Sequence, residues 1–289
     1  MTIKKSPGEK LFDVFNIILM VLILIVTIYP FYYLIIASFS DGYALIRGKV
    51  IFSVVDFNLA GYTGIPSISN FFNSYYNTLY YTFFGTITSL VVMSMGSYAL
   101  SRKQLKFRRF FSFAISFTLW FKAGIIPMYL NYSNLGLMDT RFGIIIGFAV
   151  NVFYIVIMRS YFEGIPIELE EAARVDGLTN WGTFLRIFLP LSKPMFATIT
   201  LYCAINRWNG YFWTMILIKD PLKMPLQVIL KALIIDNASS ASIGVGNANY
   251  SSETMVYSVM VVAIIPMLII YPFVQQFFEK GLTVGAVKG

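Results

Sequence analysis

The sequence predicts an all-α fold: a polytopic membrane protein of six transmembrane helices, forming a single domain over residues 1–289. Three observations carry that expectation. Of the 289 residues, 57% are hydrophobic and 12% are charged, against about 25% charged in an average soluble domain. Six stretches stay apolar over the roughly 20 residues a helix needs to cross the hydrocarbon core. The basic residues between these stretches are plentiful in alternate loops and sparse in the others, the imprint of a membrane orientation.

Taken in order, the first span covers about 14–38 and holds Pro30. It is too long for the core of a secretion signal and lacks a small-residue cleavage site, so it is read as retained. The second covers about 78–100, the third about 110–130 with Pro127, and the fourth about 142–160. The fifth covers about 194–218 and the sixth about 255–277. Prolines inside spans are tolerated where neighbouring helices or water satisfy the freed carbonyls. Two long loops, about 39–77 and 219–254, fall on one side; the second is rich in Gly, Ser and Asn from Asn237 to Ser252. Between spans four and five lies a polar, acidic insert, about 161–193.

Counting the basic residues fixes the expected orientation. Lys4, Lys5 and Lys10 precede span one, and Arg102, Lys103, Lys106, Arg108 and Arg109 follow span two. Arg159, Arg174, Arg186 and Lys193 follow span four, and Lys280 and Lys288 follow span six. The opposite side carries only Arg47, Lys49, Arg141, Lys219, Lys223 and Lys231. By the positive-inside rule both termini and the acidic insert are expected in the cytoplasm. The net charge of +8 is then a topology signal, and nucleic acid is not an expected partner. Cys203 is the single cysteine and histidine is absent. A disulfide framework and a Cys-rich metal site are excluded, and the commonest general base and metal ligand is missing.

The insert reads as a helical hairpin. Pro166 suits the first position of a helix, where a missing N–H is harmless. Glu168, Glu170 and Glu171 then fall near its positive end. Gly177 suits a left-handed C-terminal stop. Thr179 or Asn180 can cap a second helix running towards Ile187, with Pro190 and Pro194 as its limits. Ala172 and Ala173 beside Glu171 would let another protein approach closely, and the carboxylates offer charge-assisted partners. On spacing alone, an ordinary solvated connector between spans fits as well.

The run Glu171-Ala172-Ala173-x-x-Asp176-Gly177, nine residues, then Ile187-x-Leu189-Pro190 resembles the cytoplasmic loop of ABC-importer permeases. Trp208-Asn209-x-Tyr211-Phe212 and the terminus Gly281 to Gly289 resemble the sugar-transporting branch, similar to the second, smaller permease of the maltose importer. The likeness extends to permeases for oligosaccharides from polysaccharide breakdown, alginate importers included. It implies a bacterial inner-membrane heterodimer with a second permease, two ATP-binding subunits that carry ATP and Mg, and an external solute-binding protein. No cofactor is then expected in this chain. Glu170, Glu171, Ala172, Ala173, Asp176, Gly177, Leu189 and Pro190 would form the ATPase-coupling surface. The tail would reach the ATPase dimer interface, and the 219–254 loop would meet the binding protein.

Three rivals are weaker. A membrane-embedded enzyme needs paired catalytic groups, and no pair of carboxylates lies within the expected spans. A self-powered transporter or channel usually shows repeat-related spans or broken helices, and no internal symmetry is visible. A single-chain ATPase needs a phosphate loop, and Gly42 to Gly48-Lys49-Val50 has the wrong spacing and no hydroxyl. Two cations fall inside spans, Lys122 and Arg207. They either pair with helix-end carbonyls or snorkel, or they line a substrate path with Trp208, Asn209 and Tyr211. Trp120 and Trp213 are further candidates for stacking on sugar. In the resembling oligosaccharide group a small residue stands where Lys122 is. Were both cations to face one cavity, an acidic oligosaccharide such as an alginate oligomer would be the expected substrate.

Overall fold

The structure, a computed structural model, describes residues 6–121, 123–243 and 251–286, with side chains described for 6–121, 123–235 and 253–272. Among the described residues there is no strand. The helices are α1 (Pro7–Ser38), α2 (Gly42–Ile46), α3 (Ala60–Gly64), α4 (Phe71–Ser101), α5 (Arg108–Trp120), α6 (Ile125–Asn134), α7 (Arg141–Gly147) and α8 (Val152–Glu163). They continue as α9 (Ile167–Val175), α10 (Asn180–Thr183), α11 (Leu189–Leu191), α12 (Lys193–Trp208), α13 (Phe212–Leu217), α14 (Leu226–Ile243) and α15 (Ser251–Ala286).

Three described helices are each long and apolar enough to cross a membrane: α1, α4 and the 253–272 part of α15. Two bent pairs raise that number to as many as five: α7 with α8, broken by 48°, and Asn180–Leu191 with Lys193–Trp208, broken by 83°. The third expected span, about 110–130, is divided into α5 and α6. The fifth, about 194–218, is divided into α12 and α13. Apolar composition marks where a span lies, but a break inside it is set by which carbonyls a neighbour can satisfy. The region expected as a loop over 219–254 contains α14, whose first amide donates to Thr78 Oγ1 at 2.8 Å.

The chain forms two compact units. One comprises residues 70–229 and 266–289. Its centre is α4, which buries Ser74, Asn77, Thr78, Thr86, Ser89, Ser94, Ser97 and Ser101. Lipid tails are as apolar as leucine, so close approach of small residues packs helices in a membrane better than bulk hydrophobicity does. Ser97 Oγ crosses to the Ile155 carbonyl of α8 at 3.1 Å. Met93, Tyr98, Met158, Phe162, Phe188 and Ile199 close the core where α4, α8 and α12 meet.

The other unit comprises residues 1–69 and 230–265. Ser6 and Glu9 form a reciprocal capping box at the start of α1, which satisfies two otherwise orphaned amides. From Leu11 to Met20 the apolar side chains of α1 are exposed, as suits a helix facing lipid or another subunit. Near its end, Ser38 Oγ lies 2.8 Å from the Tyr62 hydroxyl, and Ser258 Oγ donates to the Ser38 carbonyl at 3.3 Å.

Candidate functional site

The hairpin between α8 and α12 is built by local signals. Helix α9 begins one residue later than its proline suggests, with Pro166 as N-cap. At the far end Gly177 has φ of +78°. Its amide donates to the Arg174 carbonyl at 3.0 Å, and the Leu178 amide donates to Ala173 at 2.9 Å. This pair of bonds is the Schellman motif, which satisfies the last carbonyls of the helix. Thr179, rather than Asn180, caps the next helix by accepting from the Gly182 amide at 3.2 Å.

Pro190 does not limit that second helix. The chain passes through a π-turn, Phe184–Phe188, into α11, where Pro190 occupies the first turn. A proline removes one helical donor, and the widened turn carries the helical path past it. The 83° break comes afterwards, between Leu191 and Lys193.

The coupling candidates divide between two faces of α9 and its turn. Glu171, Ala172, Asp176 and Gly177 are exposed, as are Leu189 and Pro190 further on. Val175, at 88% exposure, and Trp181, at 52%, add apolar area to the exposed side. Glu170 and Ala173 face the other way and are buried. Glu170 accepts from Arg102 Nη1 and, at 2.6 Å, from Arg174 Nη2. Both of its carboxylate oxygens are therefore engaged within the chain. Arg108 reaches Glu163, which also accepts from Arg159 Nε at 2.8 Å. Burial opposes ionisation of Glu163, and the two arginines outweigh it, holding the carboxyl below the usual carboxylate range. Arg102 and Arg108 entered the sequence reading as topology charges alone. The only local hint of more was their place immediately after a span.

The second candidate is a cavity of about 460 Å³ within the 70–229 part of the chain. It opens beside two helix breaks. One is the 48° break of α7 and α8, where Phe148, Ala149, Val150 and Asn151 line the wall. The other lies between α12 and α13, where Asn209, Gly210 and Tyr211 do so. Asn151 restarts the helix by accepting from the Phe153 amide at 3.0 Å. Broken helices, a feature expected of a self-powered transporter, thus occur in this chain as well.

Arg207 pairs with helix-end carbonyls and also lines the cavity. It donates to the carbonyls of Ile144 at 2.7 Å and Ile145 at 3.0 Å, and to Ser89 Oγ at 3.3 Å. Those carbonyls belong to the last turn of α7, which the break leaves without helical partners. Gly85 makes room, since a Cβ there would meet Arg207 Nε at 2.9 Å. Asn209 and Tyr211 also line the cavity. Trp208 does not; it is 3% exposed and sets its ring edge against Tyr75 at 6.2 Å. Trp213 reaches the wall beside Phe148, ring centres 6.0 Å apart, whereas Trp120 is 86% exposed. Lys122 and the side chains of the Gly281–Gly289 tail lie outside the described residues. Among the described residues, aromatic rings, amides and the Arg207 guanidinium surround this space, an apolar lining with a few polar groups of the kind that holds small ligands. Among the described residues no three His, Cys, Asp or Glu side chains converge to hold a metal.

A family model described as the binding-protein-dependent transport system inner membrane component matches residues 5–284. The chain belongs to this family. The permease is 34% identical, over 97% of its length and 99% of the relative's, to the polygalacturonan/rhamnogalacturonan transport system permease protein of Bacillus subtilis (strain 168). It is 28% identical to the arabinooligosaccharides transport system permease protein of the same organism, over 99% of this chain and 100% of that one. It also matches a chain from the crystal structure of a bacterial ABC transporter involved in the import of the acidic polysaccharide alginate, with a TM-score of 0.88 and 45% identity. That match covers 96% of this permease and 100% of the other chain.

Proposed function

We propose that this chain is the transmembrane permease subunit of an ATP-driven importer. It passes an oligosaccharide from an external solute-binding protein into the bacterial cytoplasm. The observation that carries the reading is the hairpin. A short helix closed by the Gly177 stop keeps Glu171, Ala172, Val175 and Asp176 exposed for a partner, while its other face is tied into the transmembrane helices through Glu170.

In this reading the chain spans the inner membrane six times, with both termini and the hairpin in the cytoplasm. It pairs with a second permease, and the hairpin seats in one of two ATP-binding subunits. ATP and Mg are held by those subunits, because no phosphate-cradling loop occurs in this sequence. ATP binding closes the ATPase pair, the hairpins carry that closure to the spans, and the cavity changes the side it faces. This is a rigid-body switch between two states. The substrate is an acidic oligosaccharide. Arg207 on the cavity wall supports this, as does the 45% identity to a chain of a transporter involved in the import of the acidic polysaccharide alginate.

Reconstitution into proteoliposomes tests the assignment. The purified chain alone should neither bind nor hydrolyse ATP. Sugar uptake should appear only with the second permease, the ATPase subunits, the binding protein and ATP. Nucleotide turnover by the isolated chain, or ATP-independent uptake by it, overturns the reading.

A further inference from the structure

We propose that Arg102 is the positioning residue that ties the docking helix α9 to the transmembrane helices, so that a displacement of α9 reaches α4 and α8 instead of being absorbed in the hairpin. The inference deepens the importer reading and rests on it. Arg102 lies far outside the hairpin in sequence, at the C-terminal end of α4.

Its guanidinium is used on every nitrogen. Nη1 donates to Glu170 of α9. Nε and Nη2 donate to Ser101 Oγ at 3.0 and 2.9 Å. Nη2 also reaches the Phe162 carbonyl at 3.3 Å, in the last turn of α8, a carbonyl that also accepts from the Ile165 amide at 3.4 Å. The guanidinium Cζ lies 4.3 Å from the Phe188 ring centre in the π-turn and 5.0 Å from that of Tyr98 in α4. One flat side chain thus joins α4, α8, α9 and the π-turn. A lysine could not do this, since its point charge offers neither the fork nor the stacking plane.

The pair is shielded, with side-chain exposures of 15% for Arg102 and 7% for Glu170. The second carboxylate oxygen is closed by Arg174, whose side chain is 45% exposed and sits at the rim. A buried charge left without its partner is strongly unfavourable. Pulling α9 away therefore either breaks the pair at high cost or carries α4 and α8 along. The exposed face of α9 stays clear for the ATPase subunit, so docking and transmission fall to opposite sides of one short helix.

The test uses the full complex in proteoliposomes, reading sugar molecules imported per ATP hydrolysed, retention of ATPase subunits and thermal unfolding in detergent. Arg102→Met with Glu170→Leu replaces both charges by apolar groups of similar size, a change that buried pairs often accept without loss of stability. This double variant should assemble and unfold near the wild-type temperature, yet import per ATP should fall about tenfold, within the range of measured couplings between sites. Arg102→Lys should lower the ratio by a smaller factor. Arg174→Gln should stay within about twofold, as befits a half-exposed pair. Wild-type import per ATP by a stably assembled double variant overturns the proposal. Loss of ATPase subunits by Glu170→Gln in step with Glu171→Lys also overturns it, by making Glu170 a docking residue. Should the double variant not assemble, Arg102→Lys decides: a wild-type ratio overturns the proposal and a lowered one sustains it. Failure of the wild-type complex to couple ATP to uptake would instead overturn the importer reading.

Discussion

Gly177 occupies a left-handed backbone position with nothing within 4 Å of where a Cβ would stand. A side chain there meets strain and not a clash. For a β-branched residue the left-handed region costs about 1–2 kcal/mol. Gly177→Val should therefore leave the chain in the membrane but lower the unfolding temperature of the complex and reduce import per ATP. Gly177→Asn, whose residue type tolerates this region, should stay close to wild type. Equal behaviour of the two variants would show that backbone handedness at the stop is unimportant. Glu171 is exposed on the face proposed to meet the ATPase subunit, so Glu171→Lys should weaken retention of that subunit in co-purification while leaving unfolding of the isolated chain unchanged. Glu170→Gln should do the reverse, since its carboxylate is spent on Arg102 and Arg174.

At the scale of elements, the segment after α6 and the segment after α13 are fastened together by Asp139. Its Oδ1 accepts from the amides of Lys219 and Asp220, each at 3.1 Å, and its Oδ2 lies 3.4 Å from Lys223 Nζ. The Asp220 amide is the main cause that holds the carboxyl below its usual range. The Lys219 amide and Lys223 add to the effect, and burial opposes it. A carboxylate depressed in the folded state contributes stability that is present above the unfolded pKa of about 3.9. That contribution is lost as pH falls through the folded value. Hydrogen exchange of the Lys219 and Asp220 amides should thus speed up, after correction for intrinsic rates, as pH drops from about 5 to below 3.9. In Asp139→Asn the protection should be lower than in the wild type above about pH 5 and should lose its pH dependence. Protection that is flat with pH in the wild type would assign the fastening to packing instead.

At the scale of the whole molecule, Arg207 joins a helix end to the cavity wall. Its donors hold the end of α7 while its charge sits on the cavity wall. Arg207→Gln should cost both stability and preference for acid sugars. Arg207→Lys should keep the preference, because the charge remains, while unfolding earlier, because the fork that serves two carbonyls is gone. Uptake of uronate and neutral oligomers of equal length by the reconstituted complex reads the preference directly. Equal uptake of the two by the wild type would make Arg207 purely structural and remove the acidic substrate from the proposal, leaving the permease assignment intact.

The sequence by itself determined the helical class, the approximate place of the apolar segments, the capped hairpin and its left-handed glycine. Each of these depends on groups a few residues apart: a run of apolar side chains, a hydroxyl two or three residues before an amide, a glycine after the last turn. Only the tertiary structure decided that Glu170 faces inward while Glu171 faces out, that Arg102 finds partners 60 and 68 residues away, and that three expected spans are broken. The same holds for Trp208, which the fold buries against Tyr75 while Asn209 and Tyr211 beside it reach the cavity. The physical reason is that a membrane span is chosen by its own transfer free energy. A break in it, or the inward turn of a charge, is stable only where another helix supplies the missing donor or acceptor. Such partners lie across the fold, not along the chain.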